Sequence, residues 1–135
     1  MKLPKNIEYA IFAIKYLSEN KMKECISSKE ISDSENIPFE LLSKILQKLT
    51  REKIIVSIQG IKGGYQLLRD PEELSLMDIS LALDQNIQIT NCMFESAGTD
   101  DCARVDNCCI RGPMAKIQEK LNLLFRETKL IEIIN

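Results

Sequence analysis

The chain has 135 residues, 44% of them hydrophobic and 28% charged, with a formal net charge of −2. That is the composition of a folded globular chain with room for one domain, and it excludes a disordered polymer. No apolar run is long enough to span a bilayer, and Glu8 and Lys15 interrupt what would be the apolar part of a secretory signal, so the expectation is a cytoplasmic protein that does not enter a membrane.

The charge is unevenly spread. Residues 1–71 carry 12 Lys/Arg against 9 Asp/Glu, and residues 72–135 carry 6 against 11. A mildly basic half joined to an acidic half suits one nucleic-acid face and one face that stays off DNA. In chain order, Ile7, Ala10, Ile11, Ile14 and Leu17 recur at helical spacing and predict an amphipathic helix over 5–19. Ser27 followed by Glu30 has the pattern of a capping box and opens a short helix over about 28–34. Pro38 suits a first helical position, and a third helix runs from there to about Glu52, with Phe39, Leu42, Ile45, Leu46 and Leu49 as its apolar stripe.

The period then changes. Ile54–Ile58 is β-branched and reads as a strand, Gly60–Gly64 as a turn, and Tyr65–Leu68 as the returning strand. A short helix follows from Ser75, its cap, to Leu83. Residues 86–112 have no convincing period, and Pro113 starts a last helix with Met114, Ile117, Leu121, Leu124 and Thr128 on one stripe, widened by Leu123 and Phe125. So broad an apolar face at the end of a chain points to a subunit interface. The fold class expected is mainly α with a small β-hairpin wing, a winged helix-turn-helix followed by a long C-terminal dimerisation helix.

In such a fold the second helix of the pair enters the major groove. The third helix turns Glu40, Ser43, Lys44, Gln47, Lys48 and Arg51 away from its apolar stripe, and Lys44, Gln47 and Lys48 are donors suited to base edges or phosphates. The hairpin tip places Gln59, Lys62 and Gly63 where a wing meets the phosphate backbone or the minor groove. No His is available for general base work, and no phosphate-binding loop or nucleophile elbow is present, so an enzyme is not expected.

Four of the five cysteines, Cys92, Cys102, Cys108 and Cys109, fall within 18 residues. In a reducing compartment such a cluster points to metal or redox chemistry rather than to a disulfide framework. Thiolates select zinc, copper(I) or iron–sulfur. Zinc is disfavoured because there is no Cys-x-x-Cys turn and no His; iron–sulfur clusters accept long loop-borne spacings. A thiol–disulfide switch remains open, helped by Cys109 beside Cys108. Cys25, far from the cluster, reads as a small buried apolar residue.

Several segments resemble the IscR/NsrR family of iron–sulfur winged-helix regulators. They are Lys2-Leu3 with Glu8-Tyr9-Ala10, the run Lys44-Ile45-Leu46-Gln47-Lys48-Leu49, the wing Gly60-x-x-Gly63-Gly64-Tyr65, and Leu76-Met77-Asp78-Ile79 ahead of three spaced cysteines and a long helix. The resemblance implies a homodimer bound to double-stranded DNA at a roughly palindromic operator. It implies a cluster, 4Fe-4S rather than 2Fe-2S, held by Cys92, Cys102, Cys108 and a fourth ligand. Some members take that ligand from a His three residues after the last cysteine, where this chain has Arg111. Others use an acid in the first helix, which here is Glu8, reaching the cluster loop of the opposite subunit. Many members carry Arg before the first wing glycine; here it is Gln59. The expected organisation is 1–84 for DNA binding, 85–112 for the cluster loop, and 113–135 for the dimerisation helix and C-terminal tail. The alternative is a cluster-free regulator working through a cysteine thiol–disulfide switch or a structural metal.

Overall fold

Helix α1 (Lys5–Glu19) buries Ile7, Ala10, Ile14 and Leu17 along one side, the three- and four-residue spacing that brings side chains onto one helix face. The computed structural model that shows this describes residues 3–85, 87 and 111–134. Helix α2 (Ser28–Glu35) starts on Ser27, whose hydroxyl accepts from the Glu30 N–H at 3.1 Å. The reciprocal half of the expected capping box is not formed. The Glu30 carboxylate instead accepts from the Tyr16 hydroxyl at 2.7 Å and from Lys23 Nζ at 2.9 Å, tying α2 to α1 and to the turn between them. Asn36, left-handed at φ 53°, ends α2.

Helix α3 (Phe39–Arg51) follows, with Pro38 at the N-cap rather than inside the first turn. Leu42, Ile45, Leu46 and Leu49 are buried as expected, whereas Phe39 is 51% exposed and drops out of the stripe. Strands β1 (Ile55–Ile58) and β2 (Gly64–Leu67) pair antiparallel from Ile55↔Leu67 to Ile58↔Gly64. A one-residue bridge adds a third segment beside the two strands: Ile26 and Tyr65 exchange backbone hydrogen bonds at 2.9 and 2.8 Å, fastening the chain between α1 and α2 to the outer edge of the hairpin.

Helix α4 (Leu76–Ala82) carries a complete capping box. Ser75 Oγ accepts from the Asp78 N–H at 3.1 Å, and the Asp78 carboxylate accepts from the Ser75 N–H at 2.9 Å. Helix α5 (Arg111–Glu127) contains Pro113 in its first turn, where a missing N–H costs no helical bond. The C-terminal tail does not trail away. The chain bends at Thr128, Leu76 donates to Thr128 O at 2.9 Å, Leu130 donates to Leu74 O at 2.9 Å, and helix α6 (Leu130–Ile134) sets Leu130 fully inside the core, with Ile134 packed against it. Three helices, a two-stranded hairpin and further helices around one apolar core make a winged helix-turn-helix fold, the class the periodicity predicts. Among the described residues, no helix is long and apolar enough to cross a membrane.

Candidate nucleic-acid interface and sensor residues

The four buried side chains of α3 fix its rotation, and that rotation decides which polar groups reach outward. Glu40, Lys44 and Gln47 are exposed and make no hydrogen bond or ion pair with any described residue; Ser43, beside them, is half-buried. Unsatisfied donors and acceptors on one exposed helix face are available to base edges and phosphates. Phe39 and Leu41 lie exposed in the same first turns, a surface suited to the thymine methyl group.

Lys48 and Arg51 differ from the other candidates. Arg51 Nη2 donates to Ala82 O at 3.2 Å and lies 3.3 Å from an Asp84 carboxylate oxygen. Lys48 Nζ donates to Leu83 O at 3.4 Å and lies 3.9 Å from Asp84. Both cations therefore lean onto the C-terminal end of α4, whose free carbonyls and adjoining carboxylate attract positive charge. On α3 and the wing, by contrast, Lys44 and Lys62 are exposed and their side chains have no partner among the described residues.

The wing tip is a turn closed by the Gly63 N–H on Gly60 O at 3.0 Å. Gly60 has φ 119°, open only to glycine without strain, and a Cβ on Gly63 would collide with the carbonyl oxygens of Ile58 and Gly60. Gln59 is exposed and donates to Ser57 Oγ at 3.3 Å; Ile61 and Lys62 project into solvent. Cys25 departs from expectation: it is only partly buried, and its thiol donates to Lys62 O at 2.8 Å. The reason is a tertiary contact. The Ile26–Tyr65 rung brings residue 25 alongside the hairpin, so its side chain meets the wing rather than the core.

Of the candidate cluster ligands, Glu8 is on the outward side of α1. Its carboxylate lies 3.1 Å from Lys5 Nζ, with the side chain 39% exposed. Cys92, Cys102, Cys108 and Cys109, and the neighbouring Asp100, Asp101 and Asp106, lie outside the described residues, and among the described residues no group of three or more His, Cys, Asp or Glu is placed to hold a metal ion.

Helix α5 divides its apolar residues between two sides. Phe125 is buried, and Gln118, also buried two turns earlier, donates to Ile87 O at 2.8 Å. Ile117, Leu123 and Leu124 are 48–58% exposed, as is Leu81 on the adjoining α4 at 59%. Apolar side chains left uncovered in this way offer a surface to another protein chain.

Two features escaped the sequence reading. The Tyr16–Glu30–Lys23 network was hidden because Glu30 already had a local explanation as a helix cap. The clasp of Asp84 on Arg51 joins residues 33 apart in sequence, and nothing in either segment marks the partner.

Comparison with known proteins agrees with this architecture. Residues 3–135 match the model of the Rrf2 family, described as an iron-dependent transcriptional regulator. A putative HTH-type transcriptional regulator of Haemophilus influenzae is 27% identical over 135 residues, covering all of this chain and 87% of the relative. The HTH-type transcriptional regulator IscR of Serratia proteamaculans is 22% identical, covering all of this chain and 80% of the relative. The structure of CymR, the global cysteine regulator of B. subtilis, superposes with a TM-score of 0.72 at 19% identity, covering 99% of this chain and 96% of that one. These relatives are transcription regulators, not enzymes. With a helix-turn-helix, a wing and a match over nearly its whole length, the chain belongs to the Rrf2 family of DNA-binding transcriptional regulators.

Proposed function

We propose that the protein is a cytoplasmic homodimer that reads a roughly palindromic operator with α3 and the wing, under control of an iron–sulfur cluster. The observation that carries the DNA reading is the unsatisfied polar face of α3, Glu40, Lys44 and Gln47, on a helix followed directly by a glycine-closed wing with Lys62 at its tip. Ser43, Gln59 and Gly63 complete the contact surface. Lys48 and Arg51 remain part of it as residues that set the helix. The exposed strip of Ile117, Leu123 and Leu124 supports pairing of two copies through α5, which brings two recognition helices into one two-fold assembly. In this reading 1–84 binds DNA, 85–112 senses and 113–135 dimerises, although α6 also completes the core of the first unit.

Cys92, Cys102, Cys108 and Glu8 would hold the cluster. The donor chemistry fits: three thiolates in a chain without His, plus a partly exposed carboxylate that among the described residues is engaged only by the exposed Lys5. When bound, the cluster would supply a redox- and iron-dependent change of charge and ligation. The protein's own part is to present thiolates, to release Glu8 from Lys5, and to carry the change to α3. Anaerobically purified protein should be coloured, and Cys92→Ala, Cys102→Ala and Cys108→Ala should each bleach it, whereas Cys109→Ala and Cys25→Ala should not. Colourless wild-type protein that binds stoichiometric zinc after attempted reconstitution would overturn the assignment. A second reading, a cluster-free switch on cysteine oxidation, draws on Cys109 beside Cys108 and on the fold shared with CymR. A reversible change in operator affinity with peroxide and dithiothreitol in iron-free protein would select it.

A further inference from the structure

Asp84 breaks two local preferences at once. It sits in the left-handed region at φ 56°, where glycine or asparagine is easier, and it places a carboxylate at the C-terminus of α4, where the helix dipole favours cations. The turn that holds it is well determined: Asp84 donates to Leu81 O at 3.1 Å, Gln85 donates to Ser80 O at 2.9 Å, and the Ser80 hydroxyl donates to Gln85 O. The helix end gains nothing electrostatically from an acid here. The recognition helix does: both cations of its C-terminal half, Lys48 and Arg51, converge on Asp84 and on the carbonyls of Ala82 and Leu83. Three residues on, Ile87 O is bound by Gln118 of α5. The chain that leaves α4 toward the cysteine cluster is thus tied on one side to the DNA reader and on the other to the helix with the uncovered apolar strip.

We infer that Asp84 is the positioning residue that couples the segment following α4 to the recognition helix, through Arg51 and Lys48. This rests on the reading above that the segment is the sensor. A change in that segment displaces Asp84; the two cations follow or let go, and the orientation of α3 shifts with them. The pairs are partly exposed and their contacts are long, so they exchange readily, as a switchable clasp requires.

The test uses full-length protein in two states, reconstituted with iron and sulfide or stripped with a chelator, both without oxygen. The probe is a duplex selected from a random pool by the wild type, and amide hydrogen exchange over residues 45–52 is read in parallel. Asp84→Gly and Asp84→Asn both tolerate the left-handed backbone, so the fold should persist. Each should move the ratio of operator affinities between the two states toward one by about fivefold. Each should also erase the difference in exchange over 45–52. Arg51→Gln should do the same, and adding Asp84→Gly to it should cost clearly less than the sum of the two, because both remove the Arg51–Asp84 contact and only the longer Lys48–Asp84 pair is left to lose. An unchanged ratio and exchange difference in Asp84→Gly, or full additivity with Arg51→Gln, overturns the inference while leaving DNA binding intact. If the wild type selects no duplex, the DNA reading fails and the exchange data alone decide the role of Asp84. A wild type whose two states differ in neither measurement sinks both.

Discussion

Lys44 on α3 and Lys62 on the wing are exposed and free of described partners, whereas Lys48 and Arg51 are already engaged at the end of α4. Each phosphate neutralised by a protein cation contributes about 0.9 to the slope of log affinity against log salt. Removing both free lysines from a dimer deletes four such contacts, so Lys44→Gln with Lys62→Gln should flatten the slope by about 3.6. Between 50 and 200 mM salt the wild type should then lose about 150-fold more affinity than the variant, and a monomer only about 12-fold more. Fluorescence anisotropy with a selected duplex at four or five salt concentrations measures this directly. Both side chains are at the surface, so stability should stay within about 0.5 kcal/mol. The reasoning is refuted if the slope does not change, or if Lys48→Gln with Arg51→Gln flattens it just as much, since those cations would then be reaching phosphates after all.

Three further outcomes follow from particular contacts. Leu46 is fully buried in α3, so Leu46→Ala should cost about 2–5 kcal/mol and lower the midpoint of thermal unfolding by roughly 10 °C; a shift below about 3 °C would mean the site collapses around the cavity. Ile117→Glu with Leu124→Glu puts charges into the exposed strip of α5 and should convert dimers to monomers in sedimentation velocity without loss of helical signal; dimers that persist would move the interface elsewhere. The Tyr16 hydroxyl, and after it Lys23, hold the Glu30 carboxyl below its ordinary value of 4.5. A depressed carboxyl stabilises the fold above that ordinary value and loses its contribution as pH falls through the lowered one. Tyr16→Phe should therefore be less stable at pH 7, by about 1 kcal/mol or less because the pair is partly exposed, and converge on the wild type in strong acid; a constant difference across pH would place the loss in packing instead.

How far the sequence reaches can be seen element by element. The bounds of α1, the start of α2 on Ser27, the burial of Leu42, Ile45, Leu46 and Leu49, the hairpin and the cap of α4 on Ser75 were all legible. Each is set by information within about one helical turn or one strand pair: apolar period, a capping hydroxyl, a glycine turn. The spacing of the four cysteines is local information of the same kind, but they lie outside the described residues. Tertiary structure alone decided the rest. Phe39 obeys the α3 period yet lies outside, because burial depends on whether another element covers that end of the face. Cys25 meets the wing because one rung of hydrogen bonds brings Ile26 to Tyr65, 39 residues away. The C-terminal tail bends back because Leu74 and Leu130 find each other across the fold. Of the four cations on α3 and the wing, Lys48 and Arg51 turn to Asp84 while Lys44 and Lys62 do not. No property of a lysine or arginine in sequence distinguishes these fates; the position of a carboxylate 33 residues from Arg51 does, and only folding puts it there.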